Sequence, residues 1–234
     1  MKKTYRLLIA AIALTIVATA LVPSVANAQK RGVLREILRR MDKNARKLKS
    51  LRADVRMDKY NSQLRETDVI TGSAIYLAKK KKRPVLTRID WRKPVAESFV
   101  LSGDNFDLYR PRLRAHYVGT VSGMKSKHNG PKNPFDFLTM SKKQIRDSFI
   151  VSYISQDTIA GTATWRLELE PKEKAAYQSA EMWIDSNGMS LQIKIIDRNE
   201  DTTTVLLSNV KKNAKVKAAD FKLNIPKGVR IIRG

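Results

Sequence analysis

The hydrophobic pattern changes period once near the start of the chain and then keeps the new one. Between Val33 and Leu51 the apolar positions are Val33, Leu34, Ile37, Leu38, Met41, Ala45, Leu48 and Leu51. Spacings of three and four place them on one stripe of an amphipathic helix, with Arg35, Arg39, Arg40, Lys43, Arg46 and Lys47 opposite. From Ala53 the period drops to two. Ala53, Val55 and Met57 alternate with Asp54, Arg56 and Asp58, as in a half-buried strand. Strand-like segments then follow at 69–78, 86–91, 98–101, 106–109, 112–118, 150–155, 164–169, 180–185, 190–197 and 203–210. Turn signals link them at Ser102-Gly103-Asp104-Asn105, Ser186-Asn187-Gly188 and Asn199-Glu200-Asp201. Short links require antiparallel neighbours, so the pattern predicts one large antiparallel sheet in meander order.

One stretch interrupts it. Residues 119–133 read as a polar, basic loop, followed by a short helix over 133–140 with Pro134 in its first turn. A second short helix starts at Ser141, an N-cap with Gln144 as its capping-box partner. These two pieces carry Phe135, Phe137, Leu138, Met140 and Ile145, which need something to bury against. A sheet of about ten to eleven strands curls under its own twist. The first helix and the 135–147 pair are the elements available to cover its concave face. Trp91, Phe99, Trp165 and Trp183 fall at positions read as inward. A tight cover makes a core; a loose one makes an apolar cavity with a helical lid. With no internal repeat and no Pro- or Ser-rich linker, residues 29–234 read as a single domain.

Residues 1–28 read differently, as a secretory signal. Lys2, Lys3 and Arg6 precede an apolar run from Leu7 to Leu21, and Ala26-Asn27-Ala28 supplies a small-x-small cleavage site. The run is shorter than the roughly 20 residues that span a bilayer. Cleavage is expected after Ala28, giving a soluble exported chain that begins at Gln29.

Composition narrows the chemistry. The 234 residues hold 46 Lys+Arg against 22 Asp+Glu, a net charge of +24, of which the leader accounts for three. Such a balance favours an anionic partner or surface. There is no Cys and there are only two His, which excludes a disulfide framework, a thiolate metal site and a Cys nucleophile. Neither His116 nor His128 has a catalytic partner visible in the sequence. Ser122-Gly123-Met124-Lys125 matches the Ser-x-x-Lys pattern of acyl enzymes but lacks its companion motifs. Asp185-Ser186-Asn187-Gly188 reads as a hairpin turn rather than a calcium loop, since the remaining ligands are missing. No enzyme, cofactor or metal site is expected. Aromatics make up 7% and fall mostly inward, which argues against nucleic acid. Lys79-Lys80-Lys81-Lys82 form the densest basic block, readable as an anion-contacting surface or as a solvated hairpin loop. Arg83-Pro84 follows at a bend, where a planar guanidinium fits unpaired backbone carbonyls.

Taken in order, the segments Leu48-Lys49-Ser50-Leu51-Arg52-Ala53, Gly72-Ser73-Ala74-Ile75-Tyr76, Lys82-Arg83-Pro84, Arg88-Ile89-Asp90-Trp91, Lys93-Pro94, Ser102-Gly103-Asp104, Leu108-Tyr109-Arg110-Pro111, Asn133-Pro134-Phe135, Leu169-Glu170-Pro171-Lys172, Trp183-Ile184-Asp185 and Phe221-Lys222-Leu223-Asn224-Ile225-Pro226-Lys227-Gly228-Val229 are informative together. The chain that contains them resembles the outer-membrane lipoprotein carrier family, LolA. The resemblance implies a mainly β fold, an incomplete antiparallel β-barrel with a helical lid over an apolar cavity that holds acyl chains. It assigns a lid latch to Arg83 and cavity or lid positions to Leu38, Ile89, Trp91, Phe135, Phe137, Leu138 and Ile145.

The function expected on this basis is a soluble, monomeric periplasmic carrier. It would bind acyl chains of lipoproteins, or a related lipid, between an inner-membrane loading complex and an outer-membrane acceptor. The alternative is a periplasmic polyanion- or envelope-binding structural β-protein whose core is filled.

Overall fold

The computed structural model describes residues 22–123, 137 and 140–234. Helix α1 spans Val22–Lys47 and closes on Arg46 and Lys47, cations that suit the negative end of its dipole. Six strands follow: β1 (Ser50–Asn61), β2 (Glu66–Leu77), β3 (Leu86–Lys93), β4 (Glu97–Ser102), β5 (Asn105–Arg110) and β6 (Ala115–Thr120). Helix α2 (Lys142–Ser148) begins at Ser141 with the expected capping box: Gln144 N donates to the Ser141 hydroxyl and Ser141 N to Gln144 Oε1. Five strands come next: β7 (Phe149–Ile159), β8 (Thr162–Pro171), β9 (Tyr177–Asp185), β10 (Ser190–Asp197) and β11 (Thr202–Lys212). A short β12 (Arg230–Arg233) ends the chain.

All twelve strands belong to one curled, unclosed sheet, in the order β12-β6-β5-β4-β3-β2-β1-β11-β10-β9-β8-β7. Every pairing is antiparallel except β12 with β6. The order departs from a strict meander. It is two meanders, β1–β6 and β7–β11, joined where β1 pairs with β11 along Leu51↔Lys212 to Tyr60↔Thr202. Strands β6 and β7, read as neighbours in the meander, therefore lie on opposite flanks. A turn of 3-10 helix at Pro111–Leu113, ending in a left-handed Arg114 (φ 48°), delays β6 to Ala115 rather than residue 112. Proline fixes φ and lacks an N–H for the ladder.

The core lies between α1, α2 and the inner face of the sheet. Ile37, Leu38 and Met41 of α1 are buried against that face, together with Ile145 of α2 and Phe137. Arg40 ties α1 to the β9–β10 turn: Nη1 donates to the Ser186 carbonyl at 2.7 Å, and the guanidinium lies 5.2 Å over the Trp165 ring. Asp185 shapes this turn by accepting from Asn187 N (2.9 Å) and Met189 N (2.7 Å), as a hairpin reading requires. The outer face has a smaller apolar cluster of Leu77, Leu86 and Val100 beneath Phe221 of the C-terminal segment. Trp183, read as inward, points outward instead. Its neighbours Met182 and Ile184 occupy the core, and strand alternation sends Trp183 to the other side. There its indole donates to Asp157 at 2.7 Å and Arg166 stacks on the ring.

The leader expected at 1–28 lies largely outside the described residues, and the cleavage position after Ala28 falls within the span of α1. Among the described residues no helix is long and apolar enough to cross a membrane.

Candidate functional site

Sheet register places one apolar row across six strands. Cα partners run Ala53↔Ala74↔Ile89↔Phe99↔Leu108↔Tyr117, from β1 to β6. Partners opposite one another on antiparallel strands share a face, and Ile89 fixes that face as the inner one. Exposure changes along the row. Ala53, Ala74 and Ile89 are buried beneath the helical cover, whereas Phe99, Leu108 and Tyr117 are only half-buried. Leu101 and Phe106, themselves partners, extend the half-buried part, and the Phe99 and Phe106 rings stack at 6.3 Å. Gly119 makes room for Phe106: a Cβ there would sit 2.9 Å from the ring. The inner wall of β4–β6 is thus an apolar surface that the described helices leave partly open.

Its border is polar. Glu97 and Arg110, on the same face, approach to 3.1 Å, and Arg110 lies 5.5 Å from the Tyr117 ring centroid. On the closed side, Phe137 packs tilted on Phe149 (5.7 Å) and edge-on to Tyr177 (5.9 Å). Burial pushes the Tyr177 phenol up to about 12, and its hydroxyl has no hydrogen-bond partner among the described residues. Burial also raises the Tyr76 phenol.

The sequence-derived positions divide into two groups. Leu38, Ile89, Phe137 and Ile145 meet in one core cluster, with Trp91 packed against it. Phe135 and Leu138 lie outside the described residues. Lys79, Lys80, Lys81 and Lys82 are exposed in the β2–β3 loop. Arg83 closes that loop: Nη2 donates to the Ala78 carbonyl at 2.5 Å, while Nε is buried with no partner among the described residues. Phe99 is readable as inward from its strand, but Leu101, Phe106, Leu108 and Tyr117 do not stand out in the sequence. The signal that finds them is the Ser102–Asn105 turn, which sets Phe99 opposite Leu108 once the hairpin is folded on paper.

Of the reactive-looking residues, Ser122 donates its hydroxyl to Asp104, while Lys125 and His128 lie outside the described residues. His116 Nε2 sits 2.8 Å from Asp107 Oδ1. Among the described residues no group of three or more His, Cys, Asp or Glu is placed to hold a metal.

A family model described as outer membrane lipoprotein carrier protein LolA matches residues 80–224, more than half of the chain. The outer-membrane lipoprotein carrier protein of Haemophilus ducreyi is 30% identical over 151 residues, covering 64% of this chain and 65% of that protein. The protein of the same name from Actinobacillus pleuropneumoniae is 28% identical, with 64% of each chain covered. The match therefore spans just under two thirds of these relatives' length. Among solved structures, an uncharacterized conserved protein from Thermus thermophilus superposes with a TM-score of 0.55 at 14% identity, covering 86% of this chain and 99% of that one. The Pseudomonas aeruginosa MucA/MucB complex gives 0.51 at 11% identity, covering 81% and 60%. At such identities these two likenesses show the fold.

Proposed function

We propose that this chain, which belongs to the LolA family of outer membrane lipoprotein carrier proteins, is a periplasmic carrier that shelters acyl chains against its inner sheet wall. The observation that carries the reading is the half-open apolar row of Phe99, Leu108 and Tyr117 with Leu101 and Phe106. An acyl chain in water costs roughly 0.8 kcal/mol per CH₂, so an uncatalysed crossing between two membranes is slow. A soluble protein with a partly open apolar wall removes that barrier. The cargo is the acyl part of a lipoprotein or related lipid, loaded at the inner membrane and released to an outer-membrane acceptor. The chain works as a monomer, after loss of residues 1–28.

In this reading Arg83 is the latch. Its guanidinium is held by the Ala78 carbonyl and keeps a buried Nε–H without an acceptor among the described residues. The Ala78 bond closes Arg83's own loop, so the latch bond is the one its Nε–H would give to a carbonyl of the cover. A charged donor contributes about 1.5–3 kcal/mol per hydrogen bond, enough to hold a cover and small enough to release it.

The test is saturable binding of a fluorescent apolar probe and its displacement by a fatty acid. Wild-type protein binds at one site. Leu108→Glu, which puts a carboxylate in the middle of the wall, loses the probe while keeping its melting temperature. A wild type that binds no probe, or a Leu108→Glu variant that binds it as well as wild type, refutes the proposal.

A further inference from the structure

The sheet is open, and its β7 edge lies beside both helices. Arg31, Leu34, Arg35 and Leu38 form one face of α1 by their spacing of three and four. That face, α2 and the start of β7 enclose a groove of about 460 Å³. Its size lies within the roughly 300–1,000 Å³ of small-molecule sites. Leu34, Leu38, Phe149 and Val151 make its floor, Leu34 and Val151 half-buried and the other two buried. Ile150, between Phe149 and Val151 on β7, alternates to the opposite face of the sheet.

The rim is cationic. Arg31 and Arg35 stand on α1, Lys142 and Arg146 on α2, and Lys172 just beyond β8. Among the described residues, no acidic side chain lines the groove. On the same helices Arg39 and Arg40 share Glu36, Arg46 pairs with Asp42, and Lys143 with Asp147. None of the five rim cations has a carboxylate partner among the described residues. Lys172 is held in place, its Nζ donating to the Arg146 carbonyl at 2.6 Å.

Five like charges around an apolar floor are unfavourable without a counter-ion. A bare anion would neutralise the rim and leave Leu34 and Val151 wet. A neutral lipid would cover the floor and leave the rim unpaired. We infer that the groove binds an anionic phospholipid, with its acyl chain on the Leu34–Leu38–Val151 floor and its phosphate among Arg35, Lys142, Arg146 and Lys172. This rests on the acyl-carrier reading and adds the charge of the head group to it.

The experiment compares lysophosphatidylglycerol with lysophosphatidylcholine of the same acyl chain, by calorimetry on protein purified after expression of the full chain. The anionic lipid should bind about tenfold more tightly at low salt, with the gap closing as salt is added. In Arg35→Gln/Arg146→Gln the gap should fall to about twofold with phosphatidylcholine affinity unchanged. Lys81→Gln/Lys82→Gln, which removes the same charge from an exposed loop, should keep the gap. Equal affinities for the two lipids in the wild type overturn the inference and leave the carrier reading standing. An equal loss of the gap in both double variants, or glycerol phosphate binding as tightly as the lysolipid, also overturns it. If neither lysolipid binds, the carrier reading fails and takes this one with it.

Discussion

Gly188 and Gly161 form a matched pair that tests how α1 is seated. Both sit in hairpin turns with left-handed backbone, at φ 82° and 78°. An alanine at either position meets the same conformational penalty, about 1–2 kcal/mol. Their surroundings differ. A Cβ at Gly161 has no atom within 4 Å, whereas one at Gly188 would lie 2.2 Å from the Arg40 carbonyl carbon, 2.3 Å from its oxygen and 2.5 Å from Met41 N. These are backbone atoms of α1 and cannot rotate aside. Restoring ordinary contact at about 3.5 Å moves the helix outward by roughly 1 Å, which forfeits about a quarter to a half of the dispersion energy across the gap. Ile37, Leu38 and Met41 bury there at 0%, 4% and 5% exposure, and each such side chain contributes about 1.5–3 kcal/mol. Gly188→Ala should therefore cost about 2–3 kcal/mol more than Gly161→Ala, a gap of roughly 5–10 °C in melting temperature for a chain of this size. Thermal unfolding followed by far-UV circular dichroism measures it. Two variants melting within about 2 °C of each other would show that α1 does not rest on this turn.

Further outcomes follow from the same structure. Ile145→Ala, at a fully buried site, should lose about 2–5 kcal/mol in denaturant unfolding; a loss below about 1 kcal/mol would mean that α2 is not docked. Tyr177→Phe removes a buried hydroxyl without a partner among the described residues, so stability should hold or rise by about 1 kcal/mol; a clear drop would reveal an acceptor. Hydrogen bonds from Arg39 and then Arg40 hold the Glu36 carboxyl down at about 2, against an ordinary value of 4.5. A depressed carboxylate stabilises the fold above its unfolded value and loses that contribution as pH falls through the folded one. Glu36→Gln should accordingly flatten the stability decline between pH 4.5 and 2, and a carboxyl resonance titrating near 4.5 would contradict the assignment. Arg83→Leu should still fold and take up cargo yet release it poorly in a transfer assay, with Arg83→Lys milder and Lys81→Leu nearly silent; equal small losses for Arg83→Leu and Lys81→Leu would remove the latch.

Local chemistry is legible in the sequence and long-range closure is not. The change of period at Ala53, the capping box at Ser141 and the turn at Ser186-Asn187-Gly188 each concern neighbours in sequence, and the structure shows each in place. The pairing of β1 with β11 is not readable, because alternation says which side chains share a face and nothing about which edges meet. β12 gives no signal either, as four residues that pair in parallel without a hairpin turn to mark them. Trp183 reads as inward because large aromatics usually are, but Asp157 and Arg166 give it a buried seat on the outside. The groove at β7 needs two helices and a strand edge to converge, and no spacing along the chain encodes that.

The single ladder between β1 and β11 also sets the order in which the molecule assembles. Each meander is built from neighbouring hairpins and closes short loops, which is fast. The seam from Leu51↔Lys212 to Tyr60↔Thr202 joins residues about 140–160 positions apart, so it waits until β11 has been made. Until then β1 is an unpaired edge carrying Leu51, Ala53, Val55 and Met57, the very residues that later form the floor of the core. The half-made protein thus exposes a sticky strand for as long as the rest of the chain takes to arrive, and a chaperone that shields β1 during that interval would raise the yield of folded protein.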